Sequence, residues 1–497
     1  MWVAAVLFVI ILALLLYMDT RKPPNFPPGP PWLPVLGSAL EIVRMRKKTG
    51  FLAGATAELA RQYNSSLVGL RVGKDLQVVL CSYEAVREVL NREEFDGRPK
   101  GIFYETRTWG VRRGVLLTDE TFWQEQRRFV LRHLRDLGFG RRTMSQLIEE
   151  ESAELLASFR EKVMASPGGA VVPMNDTFGV AVLNTLWLML AGIRYSPDDI
   201  ELKKLQNLLT DLFANIDMSG CLFSHFPLLR FIAPELSGYK QFMTIHQKVW
   251  HFLKNELEKH KNTLRPDYAR DFMDVYLQML NSKDRKESFS ESQLVAICMD
   301  LFMAGSETTT KTLAFGFFYL LLNPEVQRRA QAEIDAVVGR DRLPLLSDRP
   351  NLPYVDALSL ESLRMFMGRG FGVPHRTLKD TELQGYHIPK DTMILCNFHI
   401  TLMDKKTWGD PEAFRPDRFL DEEGKLSVPE QFTPFGLGKH RCMGENMAKA
   451  NVFLFMATLL QNFNFSLPPD TPPPTTEHID GVTPSPKPFE ALITLRS

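Results

Sequence analysis

The sequence predicts a mostly α-helical protein with a small β region, preceded by one N-terminal membrane helix. Long stretches with the helical spacing of apolar residues dominate the chain, and the clearest are 176–191, 239–259 and 324–338. Two short runs of apolar and β-branched residues, 67–72 and 76–80, predict strands. The first 18 residues carry no charge and are almost all apolar, which indicates a helix that can span a bilayer.

The N-terminal segment divides into an anchor and a hinge. As a helix, residues 1–18 would reach about 27 Å, which matches a thin bilayer. A secretory signal peptide is the alternative, but the segment lacks a basic start and a clear small-residue cleavage site. Arg21 and Lys22 follow it, so we expect the rest of the chain in the cytosol. Residues 19–36, basic and rich in proline, predict a stiff spacer, and residues 37–497 predict one large domain.

Composition excludes some classes of function. The 497 residues have a formal net charge of zero and 44% are hydrophobic, so nothing in them indicates a nucleic-acid partner. No linker, repeat or low-complexity tract divides residues 37–497, which favours one large domain over several. The cysteines are far apart in the sequence, so we expect no zinc site and expect a reducing compartment. They are Cys81, Cys221, Cys298, Cys396 and Cys442.

One cysteine lies in a loop suited to holding a metal. Cys442 is flanked by Gly438 and Gly444, follows a short cationic stretch, and precedes a helix predicted over 445–461. Glycines let the backbone approach a flat ligand, and amide N–H groups near a helix start soften the charge of a thiolate. We therefore expect Cys442 to bind a metal as a thiolate, with a buried structural cysteine as the alternative.

A long predicted helix carries the second pattern. Helical spacing runs from a capping box at Ser290 to Leu322. Its middle, 304–310, is small and polar in otherwise apolar surroundings. The Thr308 hydroxyl can bond to the carbonyl of Ala304 and open a groove beside it. The alternative is a threonine cluster that bonds back to its own helix inside the core.

Three charged residues predict a structural cluster. Glu361 and Arg364 are three residues apart on a helix predicted over 355–367, so both side chains lie on one face. Arg418, in the stretch 414–419, offers a third member. A surface salt bridge is the alternative, because Glu-x-x-Arg often occurs by chance.

In type and in order, Glu-x-x-Arg at Glu361, the stretch 414–419 and Phe-x-x-Gly-x-x-x-Cys-x-Gly around Cys442 resemble the cytochrome P-450 family. The resemblance implies a single large haem-thiolate monooxygenase fold, with haem b as the cofactor and Cys442 as the axial ligand of its iron. It also implies that the groove at Thr308 holds dioxygen, and that Glu307 and Thr308 are catalytic residues that deliver protons.

The same resemblance assigns residues that hold the haem. Trp123 and Arg127 match a Trp-x-x-x-Arg helix whose two side chains can donate to one propionate. His440 stands where the family most often has Arg, and His loses its charge near neutral pH whereas Arg keeps it. For each propionate donor taken singly, a solvated surface cation is the alternative. The implied cofactor-binding residues are Arg98, Trp123, Arg127, Ala304, His375, Phe435, Gly436, His440 and Gly444.

A lipophilic substrate is expected, because the residues that the family places in the pocket are mainly apolar. Two stretches, 133–140 and 434–444, resemble insect members that epoxidise methyl farnesoate in juvenile hormone biosynthesis, and this epoxidation is the expected reaction. Both stretches also resemble relatives that hydroxylate steroids, such as ecdysteroids, or xenobiotics, which are the alternatives. An isomerase-type haem-thiolate enzyme and a non-catalytic haem protein that binds ligands are further alternatives. The implied pocket residues are Phe103, Tyr104, Trp109, Phe302, Phe371, Val373 and Val482.

The resemblance further implies that electrons come from NADPH through a separate flavoprotein reductase. Cations crowd residues 127–142, and more lie at 439–441, which indicates a basic patch on the sulfur side of the haem that docks an acidic donor. Together with the anchor, this predicts an endoplasmic reticulum membrane protein whose catalytic domain lies on the cytosolic face. A second apolar stretch, 221–232, is expected either to dip into the same membrane or to pack in the core.

Overall fold

The computed structural model describes residues 2–496. About 54% of the residues are helical and the sheets are small, which confirms the predicted fold class. The helices are α1 (Trp2–Asp19), α2 (Ala39–Thr49), α3 (Leu52–Tyr63), α4 (Tyr83–Leu90), α5 (Ile102–Thr106), α6 (Glu120–Asp136), α7 (Arg142–Met164), α8 (Gly179–Ala191), α9 (Ile200–Asn215), α10 (Leu222–His225), α11 (Leu229–Ile232), α12 (Tyr239–Thr263), α13 (Phe272–Leu280), α14 (Glu291–Leu322), α15 (Pro324–Val337), α16 (Pro353–Met367), α17 (Phe398–Leu402), α18 (Lys405–Trp408) and α19 (Glu445–Asn462).

The β structure lies in short strands that pair across long sequence distances. One mixed sheet has the order β1-β2-β7-β4, with β2 and β7 parallel, and an antiparallel sheet has the order β3-β11-β8. Two further pairs, β5-β6 and β10-β9, are antiparallel. The strands are β1 (Leu67–Val72), β2 (Asp75–Leu80), β3 (Ala170–Pro173), β4 (His375–Arg376), β5 (Thr381–Leu383), β6 (Tyr386–Ile388), β7 (Met393–Cys396), β8 (Phe463–Ser466), β9 (His478–Ile479), β10 (Ser485–Pro486) and β11 (Glu490–Leu495).

Helix α14 is the centre of the core. Ser290 caps its start by accepting a hydrogen bond from the amide of Gln293 at 3.1 Å, and its 32 residues span about 48 Å at 1.5 Å per residue. It packs against α8, α16 and α19, and most of its side chains are buried. A helix that is apolar on all sides is stable only when neighbours cover it, so α14 is the wall against which the surrounding elements build internal cavities.

The segment between the anchor and the domain is packed rather than free. Helix α1 buries none of its side chains, but Asp19 at its end accepts hydrogen bonds from Arg71 on β1 at 2.8 and 2.9 Å. Trp32 is buried, and a Cβ on Gly29 would lie 2.1 Å from the carbonyl oxygen of Gly69. Residues 19–36 therefore act as a strap held against β1, not only as the expected spacer.

The apolar stretch 221–232 divides between the core, which was one of the two expectations, and the surface. It forms α10 and α11, and Phe223 at its start is fully buried. Leu228, Phe231 and Ile232 at its end are 70–76% exposed. The first half thus belongs to the core, and the second half is an apolar surface.

Candidate functional site

The loop that carries Cys442 is held by its own backbone and by close contact with α4. The amide of Cys442 donates to the carbonyl of Phe435 at 2.9 Å, which closes the loop just before α19 begins. Gly438 has φ +67°, and a Cβ there would lie 1.9 Å from the carbonyl oxygen of Leu90. Only glycine fits such a position, so the loop can lie against α4 with the cysteine next to the start of α19.

The sulfur of Cys442 lies in an electrostatically mixed environment. Burial raises the pKa of its thiol, while the amide of Gly444 and the charges of Arg127 and Arg441 act in the opposite direction. The amide contact agrees with the expectation that N–H groups near the helix start face the sulfur. The amide and the two cations favour the thiolate, which is the form of cysteine that binds a metal ion.

Cys442 opens into a cavity of about 330 Å³, within the size range of cofactor and small-molecule sites. All of the predicted cofactor-binding residues line this cavity. Helix α14 faces Cys442 across it with Ala304, Gly305 and Thr308. Ala304 is accessible although its neighbours Phe302 and Met303 are buried, so the cavity wall has a notch in the middle of α14.

The notch has the hydrogen bond expected from the sequence. Thr308 Oγ1 donates to the carbonyl of Ala304 at 2.8 Å, and α14 remains α-helical through this point. The other member of the predicted catalytic pair lies elsewhere: the Glu307 side chain does not line the cavity. It is buried, and its Oε1 accepts a hydrogen bond from Thr210 Oγ1 of α9 at 2.6 Å. The acid and the alcohol therefore face different spaces.

At one rim of the cavity the predicted propionate donors meet. The Arg98 guanidinium contacts His440 Nδ1 at 3.2 Å, the Trp123 and His440 rings stack with centroids 4.0 Å apart, and His375 packs edge-on against His440 at 5.2 Å. Arg127 donates to the carbonyl of Arg441 at 2.6 Å. Long-range packing thus brings together five side chains that lie far apart in the sequence.

Arg98 and Arg127 at this rim form no ion pair with an acid within residues 2–496, although the charges of Asp96 and Asp119 act on Arg98. Burial and the charge of Arg127 lower the pKa of Arg98 to about 10, and burial and Arg98 lower the pKa of His375 to about 3. Burial and Arg98 also depress the pKa of His440. The lowered pKa values keep His375 and His440 neutral near pH 7, so the charge of the rim rests on Arg98 and Arg127. Two neighbouring cations favour an anionic ligand, and the rim therefore fits the carboxylates of a haem. Trp123 differs from the other predicted carboxylate donors, because its Nε1 already donates to the carbonyl of Val115 at 3.1 Å.

The predicted structural cluster is assembled in full. Arg364 makes two hydrogen bonds to Glu361, at 2.7 and 2.8 Å, and Arg418 Nε donates to Glu361 Oε1 at 3.1 Å. The side chains of Glu361 and Arg364 are fully buried. Backbone carbonyls of Leu402 and Trp408 accept further hydrogen bonds from the two arginines, so the cluster ties α16 to the segment before the cysteine loop.

The predicted pocket residues separate into two groups. Phe371, Val373 and Val482 line the cavity, whereas four others do not line it in the part of the chain that the structure describes. Phe302 lies about 100° around α14 from its cavity-lining neighbour Leu301 and packs against Trp187 and Phe252. These four are Phe103, Tyr104, Trp109 and Phe302, and their contact with a substrate stays a prediction.

The other three side chains that do not line the cavity, Phe103, Tyr104 and Trp109, lie in aromatic clusters. The Phe103 ring contacts the rings of Tyr104 and Phe242, at 5.0 and 4.9 Å, and the Trp109 ring contacts that of Trp250 at 5.0 Å. Burying an aromatic side chain against other rings is favourable, and these contacts turn α5 and the segment after it away from the cavity.

Several cavity residues carried no signal in the sequence. They come from a loop, from α8, from the α9–α10 connection and from α16, and they are Val115, Leu116, Leu186, Met218 and Leu363. Each is a common apolar residue whose contact with the cavity depends on how distant elements pack. For Leu186 the helical spacing of α8 predicts burial, but not against which neighbour.

Comparisons with known proteins agree with this geometry. The sequence profile of the family described as Cytochrome P450 matches residues 27–493. The chain is 46% identical over 496 residues to Probable cytochrome P450 303a1 from Drosophila melanogaster, covering 99% of this chain and 98% of that protein. It is 37% identical to Farnesoate epoxidase from Bombyx mori, over 99% and 98% of the two chains. It is 34% identical to Cytochrome P450 2B4 from Oryctolagus cuniculus, over 92% and 91%. The Cys442 loop and the cationic rim agree with these matches, which show that the chain belongs to the cytochrome P450 family of haem monooxygenases.

Proposed function

We propose that this chain is a microsomal monooxygenase that uses electrons from NADPH to oxidise a lipophilic substrate, and that the reaction is epoxidation of methyl farnesoate. The observation that carries the proposal is that Cys442 and the Ala304–Thr308 notch line one and the same cavity. A thiolate on one side and a hydroxyl-lined notch on the other are what oxygen activation at a haem requires.

The haem would be held by Cys442 at its iron and by the cationic rim at its propionates. Arg98 and Arg127 would pair with the carboxylates, and His375 would donate from the ring nitrogen that is not bonded to the carbonyl of Phe95. When bound, the haem supplies an iron that activates dioxygen, with electron density donated by the thiolate. Phe435 and Gly436 would lie against it from the loop.

The protein's own groups prepare the reaction. The apolar walls hold the substrate and exclude water, which strengthens electrostatic interactions inside the cavity. Thr308 presents a hydroxyl at the notch, where it can donate to or accept from dioxygen and water. Glu307, one residue earlier on the same helix, is the proposed acid that supplies protons to that hydroxyl.

Support for the substrate comes from the cavity and from one relative. The walls include Leu116, Leu186, Met218, Phe371 and Val373, which suit a flexible apolar chain better than a charged molecule. The 37% identical protein from Bombyx mori is named Farnesoate epoxidase, while the name of the 46% identical protein gives no substrate. Hydroxylation of an ecdysteroid or a xenobiotic is the competing outcome of the test.

The test is turnover by microsomes that contain the full chain and a P450 reductase. With NADPH, methyl farnesoate should give an epoxide identified by mass, and farnesoic acid, which is charged, should react far less. Terpenoid esters, ecdysteroids and model xenobiotics are compared in parallel. A hydroxylated steroid without any epoxide would refute the methyl farnesoate proposal, and the absence of NADPH-dependent product from every substrate would refute the monooxygenase.

The proposed reductase contact is the basic face beside the cysteine loop. Arg128, Arg132 and Arg135 of α6 are exposed on successive turns, and none forms an ion pair within residues 2–496. Exposed cations without partners suit transient docking of an acidic protein, because they add to the association rate. Replacing Arg132 and Arg135 by Glu should slow reduction of the haem, more so at low salt, and leave its absorption spectrum unchanged. Reduction at the wild-type rate would contradict this contact.

The proposed location is the endoplasmic reticulum membrane with the domain on the cytosolic face. Residues 2–19 form the one helix within residues 2–496 that is long and apolar enough to cross a bilayer. Arg21 and Lys22 follow it, which favours a cytosolic position for what comes after.

A further inference from the structure

The cavity wall has a seam where segments that are far apart in the sequence meet. Met218, in the connection between α9 and α10, and Val482, in the turn between β9 and β10, both line the cavity. The end of α9 and the turn touch directly, because the amide of Val482 donates to the carbonyl of Phe213 at 2.8 Å. The shape of the cavity at this point therefore depends on how the connection and the turn are held together.

One guanidinium bridges the connection and the turn. Arg46 of α2 has its Nη1 3.4 Å from Asp217 Oδ2 and its Nη2 2.7 Å from Asp480 Oδ2. Asp217 is the residue before Met218, and Asp480 is two residues before Val482. The two arms of the arginine fork thus hold the two segments of the seam, which the compact ammonium of a lysine could do less well.

The two acids depend on this bridge. Ion pairs between exposed groups contribute little, but the side chains of Asp217 and Asp480 are only 18% and 13% exposed, and that of Arg46 is 37% exposed. Burial and the charge of Asp217 raise the pKa of Asp480, and Arg46 is the cation that opposes them. Within residues 2–496 neither acid forms another ion pair, so Arg46 offsets the repulsion between them.

The chain around Met218 is held on both sides. On one side Arg46 extends from α2, where the neighbouring Met45 is 2% exposed and fixes the helix in the core. On the other side His225 Nδ1 of α10 lies 2.8 Å from Asp75 Oδ2 at the start of β2. Losing the contact with Arg46 would therefore free one end of the connection while α10 stays attached to β2.

We propose that Arg46 is a positioning residue of the substrate cavity: by joining Asp217 to Asp480 it fixes the wall at Met218 and Val482, and so limits the size of the ligand that the cavity accepts. The proposal rests on the proposed function and adds a determinant of selectivity to the same site. Arg46 does not line the cavity in the part of the chain that the structure describes, so it acts on a ligand only through the two segments.

Met218 makes the wall sensitive to this bridge. An unbranched thioether side chain fills spaces of many shapes, so the backbone that carries it decides where it lies. Without Arg46 the charges of Asp217 and Asp480 repel each other, and the connection can move away from the turn. We expect the cavity then to admit bulkier ligands and to surround a slender apolar chain less closely.

The first test measures the wall itself and needs no substrate. Hydrogen exchange of the purified full-length holoprotein is followed by mass spectrometry. Arg46→Met should speed exchange severalfold in peptides that cover 216–221 and 480–484, because backbone hydrogen bonds there open more often, and should leave α14 unchanged. Arg44→Met is the matched control, since the Arg44–Glu41 pair lies within α2. Unchanged exchange in Arg46→Met, or an equal increase in both variants, would overturn the proposal.

The second test compares two ligands of the haem iron that differ in size. Imidazole is small, whereas clotrimazole is bulky and must fit between the cavity walls, and the binding of each is followed by the shift in haem absorption. Arg46→Met should leave the Kd of imidazole unchanged and lower that of clotrimazole severalfold, because the wall yields. Arg44→Met should change neither. An unchanged ratio of the two Kd values in Arg46→Met would contradict the control of ligand size.

Asp217→Asn tests whether Arg46 acts through this acid. Asparagine keeps an oxygen for Ser219, whose amide and hydroxyl donate to Asp217 Oδ1, but it lacks the charge that pairs with Arg46. Its effects on exchange at 216–221 and on the Kd ratio should have the same sign as those of Arg46→Met. The double variant should add little to either single one. Full additivity would show that the two residues act independently and would refute the bridge.

Turnover separates this proposal from the proposed function. With methyl farnesoate, Arg46→Met should raise KM severalfold, lower kcat less, and leave the reduced carbonyl spectrum unchanged, because the wall moves while the Cys442 loop does not. A fall in kcat at an unchanged KM would contradict a role in positioning. If the wild type gives no product with any substrate, the proposed function fails, while hydrogen exchange and the two iron ligands still decide the role of Arg46.

Discussion

The positions with the least freedom in this molecule are small residues at points of close contact. Gly438 combines a left-handed backbone with a Cβ position 1.9 Å from the Leu90 carbonyl oxygen. Thr308 has its hydroxyl bonded to its own helix at 2.8 Å, yet it still faces the cavity. In both cases a change of one or two atoms is enough to alter the site, because neither the backbone nor its neighbour can move away easily.

Replacing Gly438 by Ala should displace the Cys442 loop. The left-handed conformation costs about 1–2 kcal/mol for a residue with a Cβ, and the forced shift of packed backbone adds about 1–3 kcal/mol. We expect lower haem content and a smaller reduced carbonyl signal. The control is Gly424→Ala, which has φ +75° but no atom within 4 Å of its Cβ position. Equal haem content in both variants would contradict the close-contact argument.

Replacing Thr308 by Ala should uncouple NADPH oxidation from product formation. The hydroxyl at the notch is the proposed last donor, and positioned proton donors contribute roughly 10²–10⁴-fold, so product per NADPH should fall by about tenfold even if water replaces part of the function. Hydrogen peroxide should rise correspondingly. Thr263→Ala removes a similar back-bonded hydroxyl, 2.9 Å from the Lys259 carbonyl on α12, and should change nothing. Full coupling in Thr308→Ala would refute its role.

At the scale of elements, α14 and α16 fix the site by packing. The apolar surface of α14 requires cover on every side, and α8, α16 and α19 pack against it, while Ala304, Gly305 and Thr308 line the cavity. Helix α16 is joined to the segment that precedes the cysteine loop by the Glu361, Arg364 and Arg418 cluster. Its buried charges are stable only because each one is paired and hydrogen-bonded.

Replacing Glu361 by Gln should destabilise the fold strongly. It leaves Arg364 buried without a counter-charge and leaves Arg418 with Asp410 as its remaining acidic partner, and breaking a buried pair in this way costs about 3–5 kcal/mol. We expect a lower Tm and little folded holoprotein. Glu423→Gln is the surface control, because the Glu423–Lys425 pair is 71–74% exposed and such pairs contribute about 0–1 kcal/mol. A Tm close to wild type for Glu361→Gln would show that the cluster is not structural.

At the scale of the whole molecule, two apolar features face outwards. Helix α1 is fully exposed, and the end of α11 presents Leu228, Phe231 and Ile232. The turn at Gly73 links the segment 221–232 to the strap. Gly73 contacts the carbonyl of His225 in α10, and its amide donates to the carbonyl of Leu36 in the strap. The strap also holds Asp19 to Arg71, and we propose that the anchor and the α11 surface meet the same bilayer.

Replacing Leu228, Phe231 and Ile232 by Ser should weaken membrane binding by a chain that begins at Asp19. Burying one such side chain stabilises binding by about 1.5–3 kcal/mol. Losing part of this free energy at three positions should lower the affinity for vesicles by more than about tenfold. Co-sedimentation with neutral vesicles measures it. Leu426→Ser with Val428→Ser, two exposed apolar residues elsewhere, is the control. Equal vesicle binding by both variants would show that α11 does not contribute to membrane contact.

Local patterns were enough to predict the helices, the first two strands and the chemical type of the site. The predicted stretch 239–259 corresponds to α12 at Tyr239–Thr263, and the predicted 67–72 to β1 at Leu67–Val72. Spacing of this kind depends only on how side chains repeat along one element. Cys442 and its glycines were recognisable for the same reason, since the loop that holds the sulfur is built from one continuous stretch.

The sequence by itself therefore determined the fold class, the thiolate loop and the family resemblance, because each depends on residues close together in the chain. Only the tertiary structure decided which face of α14 meets which space. It placed Glu307 against Thr210 of α9 and Thr308 at the cavity, packed Phe302 against Trp187, and gathered Arg98, Arg127, His375 and His440 at one rim. These outcomes depend on contacts between elements hundreds of residues apart, and no local spacing specifies which neighbour will cover a given helical face.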